Sequence, residues 1–252
     1  KHAVMNLFEI EGIGWFLAVL PMVAFLYAAV GHGGASGYLA LMALWSFPVS
    51  MMKPTALVLN LFVAAVSFIA YARKGHFNTK LFLSFALVSV PMAFLGGMME
   101  IDASIYKKIL AVLLVFAVLK MLGVFGKQSD QIKQVPMWQG ILTGAGIGLF
   151  SGMIGIGGGI ILSPIILIMG WGRMKEAAAV SAAFIWVNSA AGLAGHLSRG
   201  ITIDPPAFVL VGIALLGGLL GGYLGSIRFD NLVLKRMLAF VLIIACAKLF
   251  FT

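Results

Sequence analysis

The sequence predicts an all-α polytopic membrane protein made of two inverted-topology repeats. Of its 252 residues, 62% are apolar and only 10% are charged, whereas a soluble domain carries about 25% charged residues. Six long stretches contain no Asp, Glu, Lys or Arg, and each has room for one or two helices of the ~20 residues that cross a bilayer. Glycine-rich and basic motifs also recur at similar positions in both halves of the chain.

Helix breakers and charged residues divide the chain into ten apolar segments, and we expect eight to ten of them to enter the membrane. Two segments, 35–48 and 159–170, are too short for a full span. Each directly follows a glycine cluster, which is typical of a re-entrant or discontinuous helix. The remaining segments are 13–30, 54–73, 79–99, 104–124, 137–154, 176–197, 206–225 and 231–251.

The repeat is visible as paired motifs. The sequence Gly-His-Gly-Gly at 31–34 matches Gly-Ile-Gly-Gly at 155–158, at an offset of 124 residues. Leu-Gly-Gly at 95–97 matches Leu-Gly-Gly at 220–222, at an offset of 125. A nearly constant offset over several motifs indicates that the second half repeats the first.

The distribution of basic residues predicts how the repeats are oriented. Five crossings per half would invert the second half and place ten basic residues on one side against five on the other; four crossings would give seven against eight. Because Lys and Arg favour the cytoplasmic side, we predict inverted repeats with both termini outside. The expected parts are a first repeat at 5–126, a cytoplasmic linker at 127–136 and a second repeat at 137–252.

Composition also excludes several function classes. The net charge of +9 comes from basic residues in short loops, so we expect contact with membrane lipid and no nucleic acid. All eight acidic residues lie at segment ends or in loops, which predicts no buried catalytic carboxylate and hence no enzyme. The only cysteine, Cys246, lies in the last segment, so we expect no thiolate metal site and no cofactor. An interior without carboxylates suits the passage of an anion.

The glycine clusters are the sharpest candidate site. A helix broken within the membrane exposes backbone N–H groups, and the next half-helix begins there with its positive dipole end. Inverted-repeat transporters aim such ends at anionic groups near the midplane; alternatively, the glycines only allow close helix packing. We assign packing to Gly144, Gly148 and Gly152. The candidate binding glycines are Gly31, Gly33, Gly34, Gly155, Gly157, Gly158 and Gly159.

Polar side chains near the breaks complete the candidate site. His32 has no counterpart in the second half; it would contact the anion or couple transport to a proton, or else bond a freed carbonyl as a neutral side chain. Ser36 would cap the first half-helix or touch the substrate. The serine and proline at 163–164, in the matching position, are expected to shape the backbone.

Two polar stripes resemble each other in spacing. Asn60 and Ser67 lie seven residues apart on one segment, and Ser181 and Asn188 have the same spacing on another. Each pair therefore shares a helix face. We expect these faces to point inward, where they would contact substrate or hydrogen-bond between helices.

Two lysines are expected just before long helices. Lys53 and Lys175 align at an offset of 122 residues. They would draw anions towards opposite mouths of the pathway, or they would only extend to the interface and set topology.

The second glycine cluster continues as Gly-Ile-Gly-Gly-Gly-Ile-Ile-Leu-Ser-Pro at 155–164. With the duplicated motif and the chain length, this pattern resembles the TauE/SafE family of sulfite and organosulfonate exporters. The first-half motif at 31–35 departs from the fuller pattern, because Ala35 replaces the last glycine and His32 replaces an apolar residue.

The resemblance implies a multi-pass secondary carrier of the plasma membrane that exports sulfite, sulfoacetate or similar anions. Alternating access would bring the anion to the two half-helix N-termini. The alternatives are an uptake permease or channel of other specificity, or a membrane-embedded subunit or enzyme. The expected partners are a small anion and lipid, and a homo-oligomer is compatible with the sequence.

Overall fold

The structure, a computed structural model, describes residues 10–121, 132–203, 205–227 and 243. Regular structure in these ranges is helical throughout. The helices described are α1 (Ile13–Ala29), α2 (Ala35–Leu44), α3 (Val49–Arg73), α4 (Thr79–Met98), α5 (Ala103–Met121), α6 (Met137–Ile154), α7 (Gly159–Ile168), α8 (Met174–Ser198) and α9 (Pro206–Ile227).

The predicted all-α membrane fold is confirmed. Five of the described helices (α3, α4, α6, α8 and α9) are long and apolar enough to cross a bilayer, and α2 and α7 have ten residues each, as expected of half-helices. Nine predicted segments match helices, whereas the tenth (231–251), with Cys246, lies outside the described residues apart from position 243. Much of the predicted linker, up to residue 131, also lies outside them.

One helix start was predicted wrongly. The sequence placed the start of α3 at Pro54, because the charge of Lys53 bounds the apolar stretch. In the structure Pro48 precedes the helix as its N-cap and α3 begins at Val49. Lys53 therefore lies inside α3 and is buried, not in a loop before it.

The packing of the helices is the same for both halves. The two 25-residue helices, α3 and α8, pack against each other at the centre. In the first half α4 packs on α6 and α8, and in the second half α9 packs on α1 and α3. Exchanging α1 with α6, α2 with α7, α3 with α8 and α4 with α9 reproduces these pairings. The opposite orientation of the halves in the bilayer stays a prediction.

The first helix of each half packs closely against the fourth helix of the other half, α6 on α4 and α1 on α9. The glycine row of α6 lies so close to α4 that a methyl group would collide with the carbonyl oxygens of Phe85, Ser89 and Ala93. Gly217 and Gly221 of α9 lie equally close to α1. The packing role predicted for the α6 row is confirmed; its members are Gly144, Gly148 and Gly152.

Candidate functional site

The first glycine break joins α1 to α2. Gly31 and Gly34 have φ angles of 77° and 101°, a left-handed conformation that a side chain makes costly. Gly34 is the N-cap of α2 and no side chain caps the helix there. The positive dipole end of α2 is therefore buried without a side-chain cap.

The second break joins α6 to α7 in the same way. Gly155, Gly157 and Gly158 have φ angles of 88°, 71° and 78°, and Gly158 is the N-cap of α7 without a side-chain cap. Among the described residues, no backbone turn bond takes up the amides of Gly157 and Gly158, or those of the two glycines at 33–34. Both breaks thus retain the free donors that a helix start provides.

The two breaks meet at one side chain. A methyl group placed on Gly33 would lie 2.6 Å from Oδ1 of Asn60, and one placed on Gly157 would lie 2.8 Å from its Nδ2. The Cγ2 atom of Ile185 in α8 would be equally close to both, at 2.8 and 2.7 Å. Asn60 and Ile185 therefore lie between the breaks, which sequence alone could not establish.

Asn60 is held on one side only. Its Nδ2 donates to the Ile156 carbonyl and to the Ser189 hydroxyl, each at 3.3 Å. Its Oδ1 has no hydrogen-bond partner among the described groups, although the side chain is 0% exposed. An unpartnered polar atom at such a position is costly, and it faces the first break.

A second polar contact joins the halves directly. His32 Nδ1 donates to the Val30 carbonyl at 3.0 Å, and its Nε2 lies 2.9 Å from the Ser163 hydroxyl. Ser163 in turn lies 2.9 Å from the Ser181 hydroxyl and 2.9 Å from the Gly159 carbonyl. The predicted bond from His32 to a freed carbonyl is thus present, and a cross-half contact accompanies it.

The hydrogen bonds of His32 suit two protonation states. With Nδ1 donating to a carbonyl, a neutral ring accepts at Nε2 from the Ser163 hydroxyl. A protonated ring donates at Nε2, and the Ser163 hydroxyl then turns to the Gly159 carbonyl or to Ser181. A proton on His32 therefore redirects a hydroxyl in α7.

The structure places the remaining predicted site residues unequally. A methyl group on Gly159 would meet Ile185 at 2.5 Å and the Ser181 carbonyl at 3.0 Å. Gly159 and Ser181 therefore both lie beside the centre. Ser36 instead pairs with the Tyr27 hydroxyl at 2.7 Å. Asn188 donates to the carbonyl of Phe184 within its own helix, and no described hydrogen bond joins it to a break.

Residues missed by sequence reasoning complete the centre. Ser163, which was expected only to shape the backbone, is the contact between His32 and Ser181. Ser189 holds Asn60, and its signal was the run of two adjacent polar residues in an apolar helix. Ile185 carried no signal, because it is one of many apolar residues in α8.

Equivalent positions in α3 and α8 are 125 residues apart. A methyl group on Gly31 would press on Ala178, and one on Gly155 would press on Lys53. By this register Asn60 corresponds to Ile185, so the two predicted polar stripes do not occupy equivalent positions. The predicted pairing of Lys53 with Lys175 is likewise out of register.

Comparison with known proteins agrees with the membrane architecture. The family model described as sulfite exporter TauE/SafE matches residues 16–249. A probable membrane transporter protein of Sinorhizobium fredii is 34% identical over 248 residues, covering 96% of this chain and 99% of its own length. No solved structure matches the chain.

A second relative is more distant. A probable membrane transporter protein of Methanocaldococcus jannaschii is 26% identical over 212 residues, covering 81% of this chain and 73% of its own length. Together with five membrane-length helices, these matches establish a multi-pass membrane transporter. The chain belongs to the TauE/SafE family.

Proposed function

We propose that this protein is a secondary carrier that exports small sulfur oxyanions, such as sulfite or organosulfonates, by alternating access. The observation that carries the proposal is the meeting of two uncapped half-helix N-termini at Asn60. The family's description as sulfite exporters supports the substrate class and the direction.

The chemistry of the centre fits an anion. Sulfonate oxygens accept hydrogen bonds, and the centre offers free backbone amides from both breaks and the positive ends of two helix dipoles. The acidic residues described in the structure (Glu11, Glu100, Asp102 and Glu176) lie at helix ends or in loops. An anion between the breaks would therefore meet donors and no repelling carboxylate.

Asn60 would provide the switch between empty and occupied states. In the empty centre its Oδ1 faces Gly33 and its Nδ2 faces Gly157. A turn of the carboxamide presents Nδ2 to an anion at the first break, where its oxygen now lacks a partner. Because Asn60 and both breaks are buried, the substrate reaches them only when the halves move, which favours a carrier over an open channel.

The test measures flux of radiolabelled sulfite and methanesulfonate in proteoliposomes, with exchange stimulated by the same anion on the other side. Asn60→Asp keeps the shape and places a carboxylate between the breaks. We expect flux to fall at least about 100-fold, because a like charge in a buried site costs several kcal/mol. Asn188→Asp is the matched control, since it introduces the same carboxylate at an equally buried position of α8.

Three results would contradict the proposal. Equal flux in protein-free liposomes would show that the protein does not carry these anions. Flux that does not saturate would indicate a channel. Equal losses in Asn60→Asp and Asn188→Asp would show that a buried carboxylate in either central helix is sufficient, and that the breaks have no special role.

A further inference from the structure

We propose that the cavity at the start of α3 is a second anion site, which receives a small oxyanion before or after it occupies the glycine breaks. This inference rests on the proposed function and adds a site on the route. The cavity has a volume of about 240 Å³. Its lining includes Ser50, Lys53, Glu100, His196 and Arg199.

Lys53 gives the cavity its charge. It is only 9% exposed, and no carboxylate among the described residues forms an ion pair with it. Its Nζ lies 4.5 Å from the centre of the Tyr106 ring, a contact that provides part of the stabilisation an ammonium group loses on burial. A cation in this position lacks a counterion, which a bound oxyanion would provide.

His196 adds a second underused group. It is 2% exposed, and neither ring nitrogen has a hydrogen-bond partner of good geometry, although the backbone of Gly152 lies beside the ring. Buried imidazole nitrogens normally find a partner. In either neutral tautomer one nitrogen is a donor, so His196 can donate to the same oxyanion as Lys53.

The rim of the cavity is an ion pair. Arg199 pairs with Glu100, whose side chain is 82% exposed. An exposed pair of this kind contributes little to stability. It holds a carboxylate at the mouth, where Glu100 competes with an incoming anion for the guanidinium.

Lys53 and Tyr106 connect the cavity with the second break through direct contacts. The Cα atom of Lys53 would lie 3.2 Å from a methyl group on Gly155. Tyr106, under the Lys53 ammonium, donates from its hydroxyl to the Ile154 carbonyl at 3.2 Å, directly before that break. The residues that would hold an anion at Lys53 therefore touch the second break of the proposed central site directly.

The size fits a small ion better than a large ligand. A volume of about 240 Å³ is below the ~300–1,000 Å³ of drug-sized pockets. Since one water occupies about 30 Å³, the cavity has room for an oxyanion with several waters. Sulfite and short sulfonates are within this limit.

The experiment compares three charge variants in proteoliposomes made of phosphatidylcholine alone. Lys53→Gln removes the buried cation, and we expect the KM for sulfite to rise about tenfold or more, the effect of one lost charge-assisted contact. Glu100→Gln frees Arg199, and we expect the KM to fall. Lys108→Gln is the control, because Lys108 is exposed on α5 and does not line the cavity.

Lys53→Arg separates charge from mere packing, because it keeps the cation and changes its shape. Recovery of the wild-type KM in this variant supports the site. Equal KM values for Lys53→Gln and Lys108→Gln overturn it. A KM increase in Lys53→Gln that occurs only when anionic lipid is added also overturns it, because the cavity would then bind a lipid headgroup.

A binding measurement keeps this inference independent of transport. Sodium sulfite and sodium methanesulfonate are titrated against purified protein in neutral detergent, and the thermal unfolding midpoint is followed. We expect stabilisation in the wild type and in Asn60→Asp, and a loss of this stabilisation when Lys53→Gln is added to Asn60→Asp. Absence of flux in the wild type would refute the proposed function. Absence of anion stabilisation in Asn60→Asp would refute the second site.

Discussion

The helices α3 and α8 have the same length and pack against each other at the centre, yet they differ at equivalent positions. Where α3 has Lys53 and Asn60, α8 has Ala178 and Ile185. The backbone arrangement is thus shared by both halves, whereas the polar side chains lie at different positions on the two helices. A repeat can preserve the geometry of a binding site while its two copies supply different side-chain chemistry.

The largest expected effect comes from removing this asymmetry at the centre. Asn60→Ile would make α3 match α8 and leave the Ile156 carbonyl and Ser189 hydroxyl without their donor. We expect sulfite flux to fall at least about 100-fold and stability to fall by about 1–3 kcal/mol. Flux in proteoliposomes and thermal unfolding in detergent measure the two effects.

The same comparison has a reciprocal form. Adding Ile185→Asn to Asn60→Ile returns one carboxamide to the centre from the opposite helix, within reach of the same glycines. We expect part of the flux to return. A double variant as inactive as the single one would mean that the helix carrying the amide matters, not only its presence between the breaks.

The next effect separates crowding at the second break from the cost of a left-handed backbone. Gly157→Ala would introduce a methyl group 2.7 Å from Ile185 in a residue whose φ is 71°, so both crowding and a left-handed backbone contribute. Gly75→Ala is the control, because its φ is 74° and its surroundings are open. We expect Gly75→Ala to lose about 1–2 kcal/mol and Gly157→Ala to lose clearly more, as measured by thermal unfolding. Equal losses would contradict the crowding.

A smaller effect is expected from the contact between the halves. Ser163→Ala removes the hydroxyl that His32 and Ser181 share, at a cost of about 0.5–1.5 kcal/mol. Ser36→Ala, which loses only the Tyr27 contact, is the matched control for stability. We expect the two variants to unfold at similar temperatures, but only Ser163→Ala to change the response of sulfite flux to an imposed pH gradient. An unchanged response in Ser163→Ala would argue against coupling through His32.

The smallest effect is expected at Gly146, which lies in the glycine-rich helix α6 but faces open space. Gly146→Ala should leave stability unchanged or raise it by up to about 1 kcal/mol. Gly148→Ala should destabilise, because its methyl group would collide with the Ser89 carbonyl. Parallel thermal unfolding of both variants measures the difference. Similar results would mean that the packing of α6 on α4 does not depend on glycines spaced four residues apart.

Sequence alone predicted much of the fold because bilayer-length apolar runs, glycines and charges mark helix ends directly. The bounds of α6 are those expected, and only α3 began several residues earlier, because Lys53 lies inside the helix and does not end it. The breaks were also predictable, since the three positive φ angles within 155–158 favour glycine, at Gly155, Gly157 and Gly158.

The partners across the site were not predictable. Ser163 and Ile185 gained their importance from the register between helices of different halves, which depends on side-chain packing and not on local pattern. The same holds for Lys53, because an offset of 122 residues paired it with Lys175 while the packing against Gly155 sets the offset at 125. The spacing of motifs is therefore enough to detect the repeat, whereas contacts between helices are needed to align equivalent residues.

The packing of α1 against α9 has a consequence for synthesis. The glycine face of α9 rests on the carbonyls of Pro21 and Phe25, so the first helix finds this partner only after the segment at 206–227 has been made. At about 5–20 residues per second, α1 waits roughly ten seconds or longer in the bilayer. A chain cut after α8 would leave that surface of α1 uncovered. Membrane quality control would then meet a complete first helix that lacks its packing partner.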